Sequence, residues 1–151
     1  MGNSNHGGMG QQIGTVRNVR YNPHLGLDVV EVNLTNSRTG TVPDNGRSFM
    51  SIRSTPPSVG SRVRFFAPPA WTVWGTVTHR NALVPGFQGF PTMSNMTIID
   101  QVSFPGESGA ALVWNNGSGE VAIGTLVGGG WGNDEWGRPI GFSFFSQSNN
   151  Y

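Results

Sequence analysis

The stretch FPGESGAALVW, from Phe104 to Trp114, joins a glycine-flanked serine to an apolar run. The apolar run is typical of a buried strand, and the glycines let the chain turn sharply just before it. Two interpretations of Ser108 follow. It lies in a plain turn, or it is a nucleophile beside backbone amides that converge on one point, which would also need a base to accept its proton.

The remainder of the chain indicates an all-β protein. The 151 residues include 23 glycines and 10 prolines, which disfavours long helices. Short apolar segments bounded by turn residues predict strands instead. We expect strands at residues 13–19, 27–34, 63–66, 71–78, 96–99, 110–114, 121–127 and 140–145, with a weaker one at 48–52. Such a series is typical of a barrel or sandwich.

Length and composition limit the organisation and the partners. We expect a flexible segment at 1–12, a single β domain at 13–145 and a tail at 146–151. Charged residues make up 11% of the chain and the formal net charge is +1, so no nucleic-acid or membrane partner is expected. The absence of cysteine excludes disulfides and thiolate metal sites. The absence of cysteine, together with the lack of an apolar signal segment at the start, favours an intracellular location.

Four stretches of the chain are informative together: GESGA, VAIGTLVGGGWG, VGSRVRFFAPPAWTVWGTVT and IGTVRNVRYNPHLGLDVVEVNL. Together they resemble the chymotrypsin-like serine peptidases, nearest their small streptogrisin-like and α-lytic-like branch. GESGA resembles the family's nucleophile motif G-D-S-G-G, and VAIGTLVGGGWG resembles the strand and glycine-rich segment that follow it. VGSRVRFFAPPAWTVWGTVT resembles the opening hairpin of the second barrel, and IGTVRNVRYNPHLGLDVVEVNL the segment that carries the triad aspartate. The resemblance spans residues 13–145. It implies a double antiparallel β-barrel with a shortened or incomplete first barrel and a junction near 46–60.

The resemblance also implies a catalytic triad. Ser108 matches the nucleophile, Asp28 the carboxylate that orients the base, and His6 the base, because His6 precedes Asp28 in the chain. The amides of Gly106 and Ser108 would bind the oxyanion. For Asp28 an ordinary turn aspartate remains the alternative, and for His6 an N-terminal residue without a catalytic role. Of the other two histidines, His24 reads as a loop residue, and His79 is out of the family's chain order.

Substrate contacts are predicted on the same basis. Val102 matches the floor of the primary pocket, and Gly128, Gly129 and Gly130 match one wall, which implies an apolar or aromatic side chain in the substrate. A glycine-rich loop is the alternative for the wall. Glu107 stands where the family has aspartate, so a cation is expected beside it. The candidates are Arg64, Arg80 and Arg138.

A second group of residues indicates binding rather than catalysis. Trp131 and Trp136 lie in a polar segment and are candidates for contact with a glycan or a protein partner. Asp134 and Glu135 in the same segment are weak candidates for a metal site.

The leading prediction is a serine endopeptidase that acts on peptides or proteins, without a metal or an organic cofactor. The alternative is a catalytically inactive protease-like module that binds a peptide, protein or glycan. A third interpretation is an all-β structural domain with no cleft at Ser108. An incomplete barrel leaves unpaired strand edges, so self-association or completion by a partner chain is a further hypothesis.

Overall fold

A computed structural model describes residues 6–7, 11–12, 14–35, 55–67, 71–86 and 89–151, with the backbone alone described at 6–7 and 11–12. The strands are β1 (His6–Gly7), β2 (Gln11–Gln12), β3 (Gly14–Asn22), β4 (Leu27–Leu34), β5 (Arg62–Ala67), β6 (Trp71–Val84), β7 (Met93–Ile99), β8 (Ala111–Asn115), β9 (Glu120–Asn133) and β10 (Pro139–Gln147). The weak strand predicted at 48–52 lies outside the described residues.

Strands β5 to β10 form a closed antiparallel barrel in the order β10-β7-β6-β5-β8-β9. Its interior is filled by alternating apolar residues, as expected where one face of each strand is buried. Phe65 and Phe145 meet edge to face with ring centroids 5.7 Å apart. Leu112 and Ile123 are fully buried beside them. The barrel is therefore the main hydrophobic core of the described chain.

Strands β3 and β4 form a separate two-stranded ribbon, joined by a short 3₁₀ turn at Pro23–Leu25. Gly26 closes this turn with φ +69°, and Leu27 beside it is buried. A Cβ on Gly26 would lie 2.2 Å from Ser94 O and 2.9 Å from Asn95 O, so the turn packs directly on the backbone of β7. The ribbon is thus anchored to the barrel at the end from which β4 begins.

Six strands extend beyond their predicted ends. β5 and β8 do so by one residue, and β3 continues to Asn22. β6 continues to Val84, and β9 continues through Gly128–Gly130 to Asn133. β10 continues to Gln147, past the predicted domain end at residue 145. Ser146, Gln147 and Ser148 are buried, so these residues pack into the domain instead of forming a free tail. Among the described residues, we find no helix with the length and apolarity needed to cross a bilayer.

Candidate active site

Ser108 is exposed on a tight turn between β7 and β8. Gly106 and Gly109 flank it with φ of +94° and +93°, a region of backbone conformation that side chains strongly disfavour. A Cβ at either glycine would meet nothing within 4 Å. The backbone conformation, and not a lack of space, is therefore what requires glycine on both sides of the serine.

The turn is fixed to β9 and leaves two amides free. Gly109 N donates to Leu126 O and Leu126 N donates to Ala110 O, both at 2.9 Å. Within the described part of the chain, the amides of Gly106 and Ser108 donate no hydrogen bond. Free N–H groups on a rigid turn are suited to bind an anionic oxygen.

The Glu107 side chain stabilises the same turn from within. It is buried, and its Oε1 accepts a hydrogen bond of 2.6 Å from Phe104 N. The three arginines considered as its partner interact elsewhere. Arg64 pairs with Glu120, Arg80 donates to Pro56 O at 3.1 Å, and Arg138 pairs with Asp134 at 2.7 Å. The Glu107 carboxylate is therefore paired with the Phe104 backbone amide, and not with any of these three arginines.

Asp28 lies on the ribbon, two residues after the Gly26 anchor, and its side chain is exposed. It lines a groove of about 1320 Å³ between the ribbon and the barrel, and Ser108 lines the same groove. The structure thus brings Asp28 and Ser108 to one cavity, although they come from separate sheets. The remaining lining includes Phe90, Val127 and Tyr151 from the barrel side.

The histidines are placed differently. The backbone of His6 lies in β1, paired with Gln12 of β2, and its side chain is outside the described residues. His24 is exposed in the 3₁₀ turn, where its backbone N donates to Asn22 Oδ1 at 3.1 Å. His79 lies 3.0 Å from Thr78 Oγ1 and lines another cavity, of about 480 Å³. Of the histidine side chains that the structure describes, none lines the Ser108 groove.

The predicted substrate contacts lie along β9 and in the segment before the Ser108 turn. Val102 is half-buried, and a Cβ on Gly141 would meet its Cβ at 3.0 Å. Gly128, Gly129 and Gly130 pair with β10. The opposite edge of β9 pairs with β8 as far as Thr125, and after Thr125 no described strand pairs with that edge. That edge therefore presents backbone groups next to the Ser108 turn.

The two aromatic residues that line the groove were not predicted from the sequence. Phe90 follows a loop with no periodic pattern, and Tyr151 belongs to the predicted tail. Tyr151 donates from its hydroxyl to Thr125 Oγ1, and burial raises the pKa of Tyr151 to about 12. A single aromatic residue after the polar stretch SQSNN was the signal available for Tyr151.

The polar segment with two tryptophans forms the tip of the β9–β10 hairpin. Trp131 and Trp136 are 68% and 72% exposed, and the Arg138 guanidinium lies over the Trp136 ring, with Cζ 4.9 Å from its centroid. Asp134 accepts hydrogen bonds from the backbone N of Arg138 and of Trp136 and from the Arg138 guanidinium. These bonds, the Arg138 amide first, hold the pKa of Asp134 below its usual value. The Asp134 carboxylate is therefore hydrogen-bonded within its own hairpin.

Solved structures of serine proteases are similar to this chain. A glutamic acid-specific serine protease described as using a histidine triad in substrate binding matches with a TM-score of 0.66 and 20% identity, over 91% of this chain and 68% of that one. Thermobifida fusca protease A matches with a TM-score of 0.62 and 26% identity, over 90% and 68%. Cellulomonas bogoriensis chymotrypsin matches with a TM-score of 0.62 and 24% identity, over 90% and 69%.

The chain therefore has the chymotrypsin-like serine peptidase fold, as the sequence predicts. Within the described residues, β5 to β10 form one closed barrel, and β1 to β4 form two separate two-stranded sheets. The sequence matches no protein-family model and none of the curated proteins.

Proposed function

We propose that this chain is a serine endopeptidase that cleaves peptide bonds by acyl transfer. Ser108 Oγ forms a bond to the scissile carbonyl carbon while His6 takes its proton. The proton then passes to the leaving amine as the C–N bond breaks, and water releases the acyl group by the same steps. Asp28 orients the histidine, and the amides of Gly106 and Ser108 donate to the oxyanion.

The observation that carries the proposal is the Ser108 turn. An exposed hydroxyl lies beside two amides that donate no hydrogen bond within the described residues, on a turn held by two 2.9 Å bonds to β9. A plain surface turn has no need for such fixation. Asp28 in the same groove adds a carboxylate, the group that the mechanism requires behind the base.

Substrate would bind as an added strand. The edge of β9 that continues past Leu126 is free of other described strands, and an extended peptide can pair with such an edge. We propose that the groups at Gly128–Gly130 form this contact and that Val102 sets the base of an apolar primary pocket. Cleavage after apolar or aromatic residues follows from the absence of charge at Val102.

Labelling with a fluorophosphonate tests the proposal. We expect covalent modification of the folded protein at Ser108 and its loss in Ser108→Ala. Ser118 offers a matched control, because it also stands between two glycines and is exposed, but its amide donates to Asn116 Oδ1 at 2.9 Å. Ser118→Ala should label like the parent. Equal labelling of Ser108 and Ser118, or none at either, would contradict the proposal. His6→Ala should slow labelling at Ser108 about 100-fold or more.

A binding module without catalysis is the second candidate. It is favoured by one observation, that no described histidine side chain lines the Ser108 groove. In that case the β9 edge would bind a peptide, and neither labelling nor hydrolysis would be seen. Self-association or a completing partner chain stays a prediction for either candidate.

A further inference from the structure

A smaller cavity, the Trp74 pocket, lies on the outer face of the barrel, across β6, β5, β8 and the start of β9. Its volume is about 330 Å³, and it shares no lining residue with the Ser108 groove. In β5 the side chains of Val63 and Phe65 fill the barrel, so Arg64 between them belongs to the outer face. Arg64 is paired with Trp74 of β6 on one side and with Val113 of β8 on the other.

Arg64 gives the Trp74 pocket a charged floor. It is only 4% exposed, and its Nε donates to Glu120 Oε2 at 3.0 Å. Glu120 begins β9 and is paired with Asn115 of β8, and both residues line the pocket. The floor is therefore polar and fixed in position, and the charge of Arg64 is balanced by Glu120.

Trp74 forms a wall of the pocket together with Arg62. The indole is 48% exposed, and the Arg62 guanidinium lies over it with Cζ 4.7 Å from the ring centroid. A stacked guanidinium keeps its N–H donors in its own plane, where they can still donate to a carboxylate. Among the described residues, no carboxylate pairs with Arg62.

The other arginine–tryptophan stack of the described chain is arranged differently. Arg138 lies over Trp136, with Cζ 4.9 Å from the ring centroid, and its Nε donates to Asp134 Oδ2 at 2.7 Å. The chain thus supplies an acceptor for Arg138 but none, within the described residues, for Arg62. The donors of Arg62 are available to an acceptor on a bound molecule.

We propose that the Trp74 pocket binds a sugar that carries a carboxylate, such as a hexuronate. The sugar ring would stack on Trp74, its carboxylate would accept from Arg62, and its hydroxyls would bond to Asn115 and Glu120. An aromatic wall with a few well-placed polar groups is typical of small-molecule sites. Two arginines against one glutamate give the lining a net charge of +1, which favours an anion. This binding site is independent of the proposed peptidase activity.

NMR titration of the folded, ¹⁵N-labelled protein with glucuronate, glucose and acetate at constant ionic strength tests the site. The indole N–H signal of Trp74, assigned by its loss in Trp74→Phe, should shift with glucuronate. We expect glucose and acetate each to bind at least about tenfold more weakly, because each lacks one of the two contacts. Arg62→Gln should lower the affinity for glucuronate to that for glucose, and Arg62→Lys should restore only part of it.

Trp74→Ala should weaken glucuronate binding about tenfold or more. Trp71→Ala is the matched control, because Trp71 lies on the same strand and is 56% exposed but does not line the pocket. Glucuronate binding to this variant, followed by the Trp74 signal, should equal that of the parent. Fluorophosphonate labelling of Ser108 should be the same in Trp74→Ala as in the parent, so failure of one proposal leaves the other standing.

Four results would overturn the proposal. They are the absence of glucuronate binding to the parent, equal affinities for glucuronate and glucose, equal affinities for glucuronate and acetate, and equal losses in Trp74→Ala and Trp71→Ala. The second would exclude a carboxylate contact, and the third would mean an anion site with no place for a sugar ring. The fourth would place the binding outside the Trp74 pocket.

Discussion

The turn that carries Asp28 into the groove depends on a glycine that no other residue can replace without cost. In Gly26→Ala two penalties combine. The alanine must hold φ at +69°, and this backbone conformation costs a residue with a Cβ about 1–2 kcal/mol of folding free energy. Its Cβ must also avoid Ser94 O at 2.2 Å and Asn95 O at 2.9 Å, both backbone atoms of β7 that cannot rotate away. Overpacking of this kind costs about 1–3 kcal/mol.

A second glycine separates the two penalties. Gly60 has φ +95°, but a Cβ there would meet nothing within 4 Å. Gly60→Ala should therefore cost only the conformational part, about 1–2 kcal/mol, against about 2–5 kcal/mol for Gly26→Ala. Urea unfolding followed by tryptophan fluorescence gives both values. The labelling rate of Ser108 in the folded fraction should fall for Gly26→Ala alone, because the turn and Asp28 must move.

Two results would refute this reasoning. Equal losses of stability in the two variants would mean that the contact with β7 does not fix the ribbon. A stability loss in Gly26→Ala with an unchanged labelling rate would mean that the ribbon anchor has no bearing on the reactivity of Ser108.

Two further predictions concern buried polar groups. Because the folded-state pKa of Tyr151 is about 12 against an ordinary value of 10, the stability that its burial provides is complete below pH 10 and is lost as the pH rises through 12, by about 2–3 kcal/mol. Absorbance at 295 nm in Tyr21→Phe, which leaves Tyr151 as the only tyrosine, should show a midpoint well above 10, and a midpoint at 10 would contradict the burial. Gln147→Leu should cost about 2–4 kcal/mol in urea unfolding, because Gln147 Oε1 accepts from Asn81 N and Thr97 Oγ1 and its Nε2 donates to Asn81 Oδ1. A loss no larger than that of Thr97→Val would show that the Asn81 contacts contribute little.

Sequence patterns located the strands well where alternation of side chains drives burial. The pattern LDVVEVNL predicted β4 with its observed ends, 27 and 34. Gly128–Gly130 offered no such pattern, since glycine has no side chain to place on either face, and a loop stayed open as the alternative. Pairing with Phe142–Phe144 of β10 decides the matter, and that contact lies outside any local window.

The end of β6 was missed for a related reason. Asn81 has φ +50°, a conformation that a regular strand does not contain, and asparagine is a residue that local patterns assign to turns. In the fold its amide and side chain are both held by Gln147, far along the chain. The conformational cost is offset by a contact that only the closed barrel creates. Tyr151 was missed for the same reason, because its hydroxyl bonds to Thr125 on β9, which is distant in the sequence.

The residues of the candidate site also differ in how far the sequence alone could predict them. The Ser108 turn is local, because two glycines and a carboxylate within a few residues define its geometry, and the sequence alone identified it. Asp28 was reached through a resemblance, because nothing local distinguishes it from a turn aspartate. Phe90 could not be reached at all, since its position in the groove depends on the absence of a side chain at Gly128, on another strand.

The two identified groups are held by separate anchors on a single barrel. Ser108 is fixed through Leu126 on β9, and Asp28 through Gly26 on the backbone of β7. β7 and β9 both pair with β10. The relation between Ser108 and Asp28 is therefore set by the closed barrel of β5 to β10. Under the proposed mechanism, activity requires an imidazole in the groove, so addition of imidazole to His6→Ala should restore the labelling of Ser108.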